Sequence, residues 1–281
     1  MKNGQNHSRI GFVPPMLLRR VRQLPEGPQW HYEVKWDGYR MQAMKQGGAV
    51  RLISRNGADY TRRFPEVAQA VARLRPSSLH LDGELVAMDR QGRPSFQALQ
   101  ARLPLPEGWR FGYYAFDLLH LRGRYLARVP LAERRSKLEQ LLTGSAIRYS
   151  ASLGGTPDQV VAAVREQRLE GVVAKKANSV YEPGKRSGAW LKLPLKQTGH
   201  FFIGGFRPGH HGIGVLLVGQ PDETGRFIFA GKVRQGLAQL RGPEIIAALN
   251  RLRVGCCPFA NLPNCRADPF DEMVTSDEMS T

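Results

Sequence analysis

The alternation of apolar and polar positions is clearest at residues 31–36, HYEVKW, where Tyr32, Val34 and Trp36 fall on one face and Glu33 and Lys35 on the other. A period of two predicts a half-buried strand. YRMQAMK (39–45) and AVRLIS (49–54) read as strands joined by a turn at Gly47-Gly48. LHLDGELVAM (79–88) and RFGYYAFDLLHL (110–121) are apolar enough for buried strands, and GVVAKK (171–176) and AWLKL (189–193) return to strand. Helical spacing takes over at 64–75, where Val67, Ala68, Val71 and Leu74 form a stripe and Pro65 is tolerated in the first turn. SFQALQARL (95–103), PLAERRSKLEQLL (130–142) and TPDQVVAAVREQ (156–167) also read as helices. The last has Thr156 as its cap and Pro157 in its first turn.

This order predicts an α+β domain of antiparallel sheets flanked by helices over residues 1–197. From residue 198 the texture changes. HFFIGGF (200–206), GVLLVGQ (214–220) and FIFAGKV (227–233) are short strands between Gly, Pro and Asp turns, followed by a helix at 243–252. Such a run suits a small β-barrel over 198–281.

Composition narrows the function classes. The chain has 281 residues, 42% hydrophobic and 23% charged, so it can bury a core and should be globular. No apolar run is long enough to span a bilayer, and the N-terminus lacks a signal-peptide core, which predicts a cytoplasmic protein with no membrane partner. Lys and Arg number 41 against 24 Asp and Glu, a net charge of +17. That excess favours a polyanionic partner, nucleic acid before any membrane surface. Cys256, Cys257 and Cys265 form no disulfide framework by spacing and read as reduced, non-catalytic thiols.

The chemistry centres on Lys35-Trp36-Asp37-Gly38-Tyr39-Arg40. The segment places an amine at a strand end, with Gly38 allowing the backbone close to a ligand and Asp37 and Arg40 within a turn of the amine. A lysine of ordinary pKa is neutral in only about 0.04% of molecules at pH 7. A nucleophilic lysine therefore needs neighbouring cations, partial desolvation or a metal ion. Further charged or aromatic fragments follow in order: Ser54-Arg55-Asn56-Gly57, Asp82-Gly83-Glu84, Phe116-Asp117, Glu170-Gly171-Val172-Val173-Ala174-Lys175 and Trp190-Leu191-Lys192. Each alone has a bland explanation as a turn, a buried strand end or a solvated charge. The ordered set does not.

The set resembles the motifs of covalent nucleotidyltransferases, which include DNA ligases, RNA ligases and mRNA capping enzymes. Within them it is most similar to the ligase module of bacterial end-joining ligases of the ligase D type. FVPPML, SRNGADYTRRFPEV, HLDGELVAMD, EGVVAKKANSVYEPGKRSGAWLKL and FFIGGFRPG carry the likeness, which covers most of residues 11–260. The resemblance implies an adenylation (nucleotidyltransferase) domain followed by an oligonucleotide-binding (OB-type) barrel. It also implies an ATP-dependent DNA ligase that attaches AMP to Lys35, passes it to a DNA 5′-phosphate and seals the break.

Roles follow from the resemblance one residue at a time. Lys35 is the nucleophile. Arg40, Arg55 and Glu84 hold the ribose and α-phosphate, Phe116 stacks on the adenine, Val173 closes its other face, and Glu33 belongs to the same nucleotide-binding set. Glu170, with Asp37, holds a divalent metal, Mg²⁺ or alternatively Mn²⁺. Lys175 and Lys192 contact phosphate as pyrophosphate leaves. Nicked or broken double-stranded DNA is the implied partner, in DNA repair, recombination or end joining at the bacterial nucleoid. Ku and polymerase or nuclease modules on separate chains are left open.

Two departures from the pattern stand out. Pro194 occupies a position usually basic in this family, with Lys196 the nearest substitute. The chain stops at Thr281, before the expected closing strands and final basic motif, so an incomplete barrel is expected. Two rival readings therefore stay open: an RNA ligase or capping-type nucleotidyltransferase, and a catalytically impaired, DNA-binding ligase remnant.

Overall fold

The computed structural model describes residues 10–100, 105, 107–195, 199–209, 212–222, 224–234, 236–237, 243–261 and 272–273. The chain divides into two compact units, residues 1–197 and 198–281. Lys196 lies outside the described residues, as do 101–103 at the end of the expected helix 95–103.

In the first unit the elements run β1 (Arg19–Arg20), β2 (Trp30–Val34), β3 (Tyr39–Gln46), β4 (Ala49–Ser54), α1 (Pro65–Ala72), β5 (Ser78–Met88) and α2 (Phe96–Gln100). They continue with β6 (Arg110–Leu121), β7 (Arg124–Tyr125), α3 (Leu131–Leu142), β8 (Arg148–Tyr149), α4 (Pro157–Glu166), β9 (Gly171–Lys176) and β10 (Trp190–Pro194). They build a four-stranded sheet in the order β1-β10-β9-β2 and a six-stranded sheet in the order β4-β3-β5-β6-β7, with β8 paired to β6.

Both sheets are mixed, which corrects the expectation of antiparallel sheets. β1 runs parallel to β10, and β8 runs parallel to β6. These strands are two residues long, too short to carry an alternation, and their partners lie far away in sequence. No local pattern announces them.

Each sheet buries one face under helices. Tyr32, Val172, Ala174 and Leu191 of the smaller sheet pack with Val160 and Val164 of α4. That helix starts where the sequence places it. The Gln159 backbone amide donates to Thr156 Oγ1, and the Thr156 amide donates back to the Gln159 side chain, closing a capping box. The larger sheet sets Met41, Ala43, Leu52, Leu81, Leu85 and Leu118 against Val67 and Val71 of α1 and Leu138 and Leu142 of α3.

The opposite faces of both sheets carry the polar residues and line one cleft. Alternation was therefore read correctly for Tyr32, Glu33 and Lys35. Trp36 is different: β2 ends at Val34, and the Trp36 ring leaves the strand face to stack on Tyr114 at 3.8 Å.

The second unit contains β11 (Phe202–Gly209), β12 (Gly212–Pro221), β13 (Phe227–Val233), α5 (Pro243–Arg251) and β14 (Glu272–Met273), its strands ordered β13-β12-β11-β14 and all antiparallel. Ile245, Ile246 and Leu249 of α5 pack on Phe206, Ile213 and Leu216. Val215 and Leu217 face an aromatic group of Phe227, Phe229 and Phe259. Cys256 is an exposed free thiol, but Cys257 is disulfide-bonded, against the reading of three reduced cysteines. Cysteine spacing excludes a disulfide framework but carries no information on one isolated bond. Among the described residues no helix is long and apolar enough to cross a membrane.

Candidate active site

Strand register arranges the cleft floor in rows, because residues directly opposite across a sheet point to the same side. Lys192 pairs with Val173, and Val173 pairs with Glu33. The next row joins Trp190, Lys175 and His31. On the larger sheet Arg40 pairs with Glu84 and Gln42 with Asp82. The resulting cleft encloses a cavity of about 160 Å³ that opens to solvent. Its walls include Glu33, Lys35, Arg40, Arg55, Glu84, Phe116, Val173, Lys175 and Lys192, nine of the residues singled out from sequence. Asp37 and Glu170 stand beside the cleft, next to Lys35.

Lys35 is held at the end of β2 by its backbone amide, which donates to the Gly171 carbonyl at 2.8 Å. Its ammonium forms an ion pair with Glu170 Oε1. The other oxygen, Glu170 Oε2, is buried without a hydrogen-bond partner among the described residues. Burial, followed by the Glu170 charge, raises the Asp37 pKa, while Lys35 opposes the shift. Two carboxylates and one orphaned buried oxygen beside the amine fit a hard cation completed by water and phosphate oxygens. Among the described residues no cluster of three or more His, Cys, Asp or Glu could hold a metal by itself.

Gly38 serves a purpose other than the one expected. A Cβ there would sit 2.1 Å from the Leu85 carbonyl oxygen, so the glycine lets the turn pack on β5. Gly171 has the same role against β10, with Leu193 O at 2.3 Å from an added Cβ.

Phe116 owes its placement to an irregularity. Gly83 pairs with Ala115 and Asp82 with Asp117, which leaves Phe116 as an extra residue in a β-bulge. Bulges re-aim side chains, and this ring turns into the cleft, edge-on to Trp190 with centroids 6.2 Å apart. Behind it, Asp117 is locked to Arg134 by two hydrogen bonds of 2.7 and 2.8 Å, both side chains fully buried.

Two expected phosphate ligands are committed to protein partners. Lys175 is 2% exposed; its ammonium donates to Glu33 at 3.0 Å and lies 4.3 Å from the Phe116 ring centre and 4.5 Å from Trp190. Burial lowers the Lys175 pKa, with the Glu33 charge opposing. Arg135 of α3 pairs with the same carboxylate. This buried group packs against the aromatic rings of the cleft.

Arg40 makes two bonds to Asp82, at 3.2 and 2.7 Å, a third to the Met16 carbonyl at 2.6 Å and a fourth to the Tyr181 hydroxyl at 3.3 Å. Burial works against its charge, but Asp82 outweighs it and raises the Arg40 pKa. Glu84, across the strand from Arg40, has no hydrogen-bond partner among the described residues. Burial pushes its pKa up to about 8, against the pull of Arg40 and Lys35.

At the other end of the cleft stand Lys35, Lys192 and Arg55. Burial lowers the Lys192 pKa, as do the charges of Lys35, Arg186 and Arg55, while Glu170 raises it. The sequence reading did not assign Asp82, Trp36, Trp190, Tyr181 or Arg135. Asp82, Trp36 and Trp190 lay inside quoted motifs, and Asp82 has the same strand parity as Glu84, which was a usable signal. Arg135 gave none, because a charge in a helix reads as solvated, and Tyr181 comes from a loop.

The site can be set beside known proteins. The family profile of the ATP dependent DNA ligase domain matches residues 15–194. The chain is 38% identical over 273 residues to the multifunctional non-homologous end joining protein LigD of Pseudomonas aeruginosa, covering 94% of this chain and 32% of that protein. With the protein of the same name from Mycolicibacterium smegmatis it is 35% identical over 272 residues, 95% of this chain and 35% of the relative. The chain thus spans about a third of the length of these curated relatives. A solved mycobacterial DNA ligase D complexed with ATP and MES superposes with a TM-score of 0.62 at 34% identity, over 94% of this chain and 86% of that one. With the profile matched across both sheets and the cleft between them, the chain belongs to the ATP-dependent DNA ligase domain family.

Proposed function

We propose that this chain is the catalytic core of an ATP-dependent DNA ligase acting on nicked or broken double-stranded DNA. The observation that carries the reading is the polarity of the cleft. Its aromatic end, with Phe116 and Trp190, suits a base, and its cationic end, with Lys35, Lys192 and Arg55, suits phosphates.

In the first step the Lys35 amine, after losing its proton, attacks the α-phosphorus of ATP. An N–P bond forms, the bond from that phosphorus to the bridging oxygen breaks, and pyrophosphate leaves. Lys192 and Arg55 offset the growing charge on the leaving group. Adenine lies between Phe116 and Val173, facing Glu33 and Lys175, and Glu84 meets the ribose. In the second step a DNA 5′-phosphate oxygen displaces Lys35 and takes the AMP. In the third a 3′-hydroxyl oxygen attacks that 5′-phosphate, a phosphodiester forms and AMP departs. Asp37 and Glu170 would hold Mg²⁺, which supplies charge neutralisation to the reacting phosphates.

The second unit acts as an OB-type domain in this reading, supported by its four-stranded antiparallel sheet and α5. A net charge of +17 supports DNA binding through backbone phosphates at the nucleoid of a bacterial cytoplasm. The likeness to proteins named for non-homologous end joining supports a role in break repair.

The test is to incubate the chain with ATP labelled at the α- or the γ-phosphate, then with nicked duplex. Label from the α-phosphate alone should appear on the protein, vanish in Lys35→Ala and pass to DNA. Wild-type labelling in Lys35→Ala refutes the assignment, and labelling from GTP in place of ATP would favour a capping-type enzyme.

A further inference from the structure

The cationic end of the cleft is short of charge for its task. Of the cations lining the cleft, Lys35 is paired with Glu170, Arg40 with Asp82 and Lys175 with Glu33. Arg55 and Lys192 remain without an ion pair among the described residues, and Arg186 is close enough for its charge to act on Lys192. The position two residues beyond Lys192, on the same face of β10, is Pro194.

The edge strand β1 adds a residue to this end. It runs parallel to β10, and Arg20 is the register partner of Lys192. Paired residues in a sheet project to the same side, on strands about 4.8 Å apart. The neighbours confirm which side. Leu18, two residues before Arg20, lines the cleft. Val21, one residue after, packs into the opposite core with Leu191 and Leu193, and its amide donates to the Lys192 carbonyl at 3.0 Å.

One row of the sheet therefore reads Glu33, Val173, Lys192, Arg20, from the buried interior to the open edge. Arg20 is exposed and has no acidic partner among the described residues. Like charges directly opposite one another on a sheet repel. An anion between them turns that repulsion into attraction, and a guanidinium offers a planar fork for phosphate oxygens.

We propose that Arg20 on β1 is a phosphate-binding residue that, together with Lys192, grips the pyrophosphate portion of ATP during transfer of AMP to Lys35. The proposal rests on the ligase reading. It adds a third cation to the leaving-group site, beside Lys192 and Arg55, on a strand distant in sequence from β10, where Pro194 supplies none. Arg20 belongs to the first step because pyrophosphate leaves only there. In the last step the leaving group is AMP.

The experiment compares wild type, Arg20→Gln and Arg20→Lys in three assays. These are AMP transfer from ATP to Lys35, release of that AMP by added pyrophosphate, and sealing of a pre-adenylated nick. Loss of one charge-assisted phosphate contact should slow AMP transfer in Arg20→Gln by about 10- to 100-fold. The half-saturating pyrophosphate concentration of the reverse reaction should rise by a similar factor. Sealing should fall at least fivefold less than AMP transfer, and Arg20→Lys should recover part of the loss.

Unchanged pyrophosphate saturation in Arg20→Gln overturns the proposal. So does an equal loss in AMP transfer and sealing, which would place Arg20 on DNA or in the fold. Failure of the ligase reading itself would look different: wild type would take no label from ATP.

Discussion

Replacing Asp82 by Asn tests whether the cleft is preorganised by its buried charges. Asp82 is fully buried, receives two bonds from Arg40 and accepts a third, of 2.7 Å, from the Tyr181 hydroxyl. An amide of the same shape presents N–H groups to a guanidinium that can only donate. Removing one partner of a buried pair costs about 3–5 kcal/mol, because the remaining charge loses its compensation. In a domain the size of this first unit, each kcal/mol moves the melting temperature by about 2–4 °C.

Asp82→Asn should therefore melt roughly 6–20 °C below wild type by calorimetry or circular dichroism. Arg40→Met removes the stranded charge, so the double variant should be less destabilised than the two single losses combined, by roughly 2 kcal/mol. Arg40 lies 5.4 Å from the Phe116 ring centre, so labelling from ATP should fall along with stability. Melting within about 2 °C of wild type, or additivity within about 0.5 kcal/mol, would refute the reasoning.

Glu84 makes a pH prediction. Its folded-state pKa of about 8 lies above the ordinary 4.5, so between those values the unfolded chain releases a proton that the folded chain keeps. Stability should fall as pH rises through that window, by at most roughly 4–5 kcal/mol, and Glu84→Gln should flatten the curve in urea titrations. Parallel curves would contradict this. Glu170→Ala should keep its melting temperature within about 3 °C, since the side chain is a third exposed, while labelling drops roughly 100-fold; unfolding of the variant would make Glu170 structural. Trp36→Ala removes the stack on Tyr114 and the indole bond to Ser150 Oγ at 3.1 Å, next to the nucleophile. Its kcat for labelling should drop about tenfold with KM for ATP unchanged, and Trp36→Phe should recover part of it; a change confined to KM would point to nucleotide contact instead.

By itself the sequence determined the local elements and most of the site. Tyr32, Glu33 and Lys35 alternate because a strand puts successive side chains on opposite faces, and Thr156 starts its helix because a hydroxyl can accept from an orphan amide. Such signals act over a few residues, so they survive without any knowledge of what lies across the sheet. Glu33, Arg40, Glu84, Val173 and Lys192 came together for the same reason: each sat on a strand whose inward face was legible from its apolar partner face, whereas Lys35, Arg55 and Glu170 lie just beyond strand ends.

What the tertiary structure decided was the pairing of charges. Lys175 was read as a phosphate ligand, but burial under Phe116 and Trp190 leaves its ammonium dependent on Glu33. Arg40 was given to the nucleotide, but the buried Asp82 takes its fork. Arg20 carried no signal in a two-residue strand until β10 placed it opposite Lys192. Electrostatic partnership depends on distance and desolvation in three dimensions, and a chain written in one dimension holds neither.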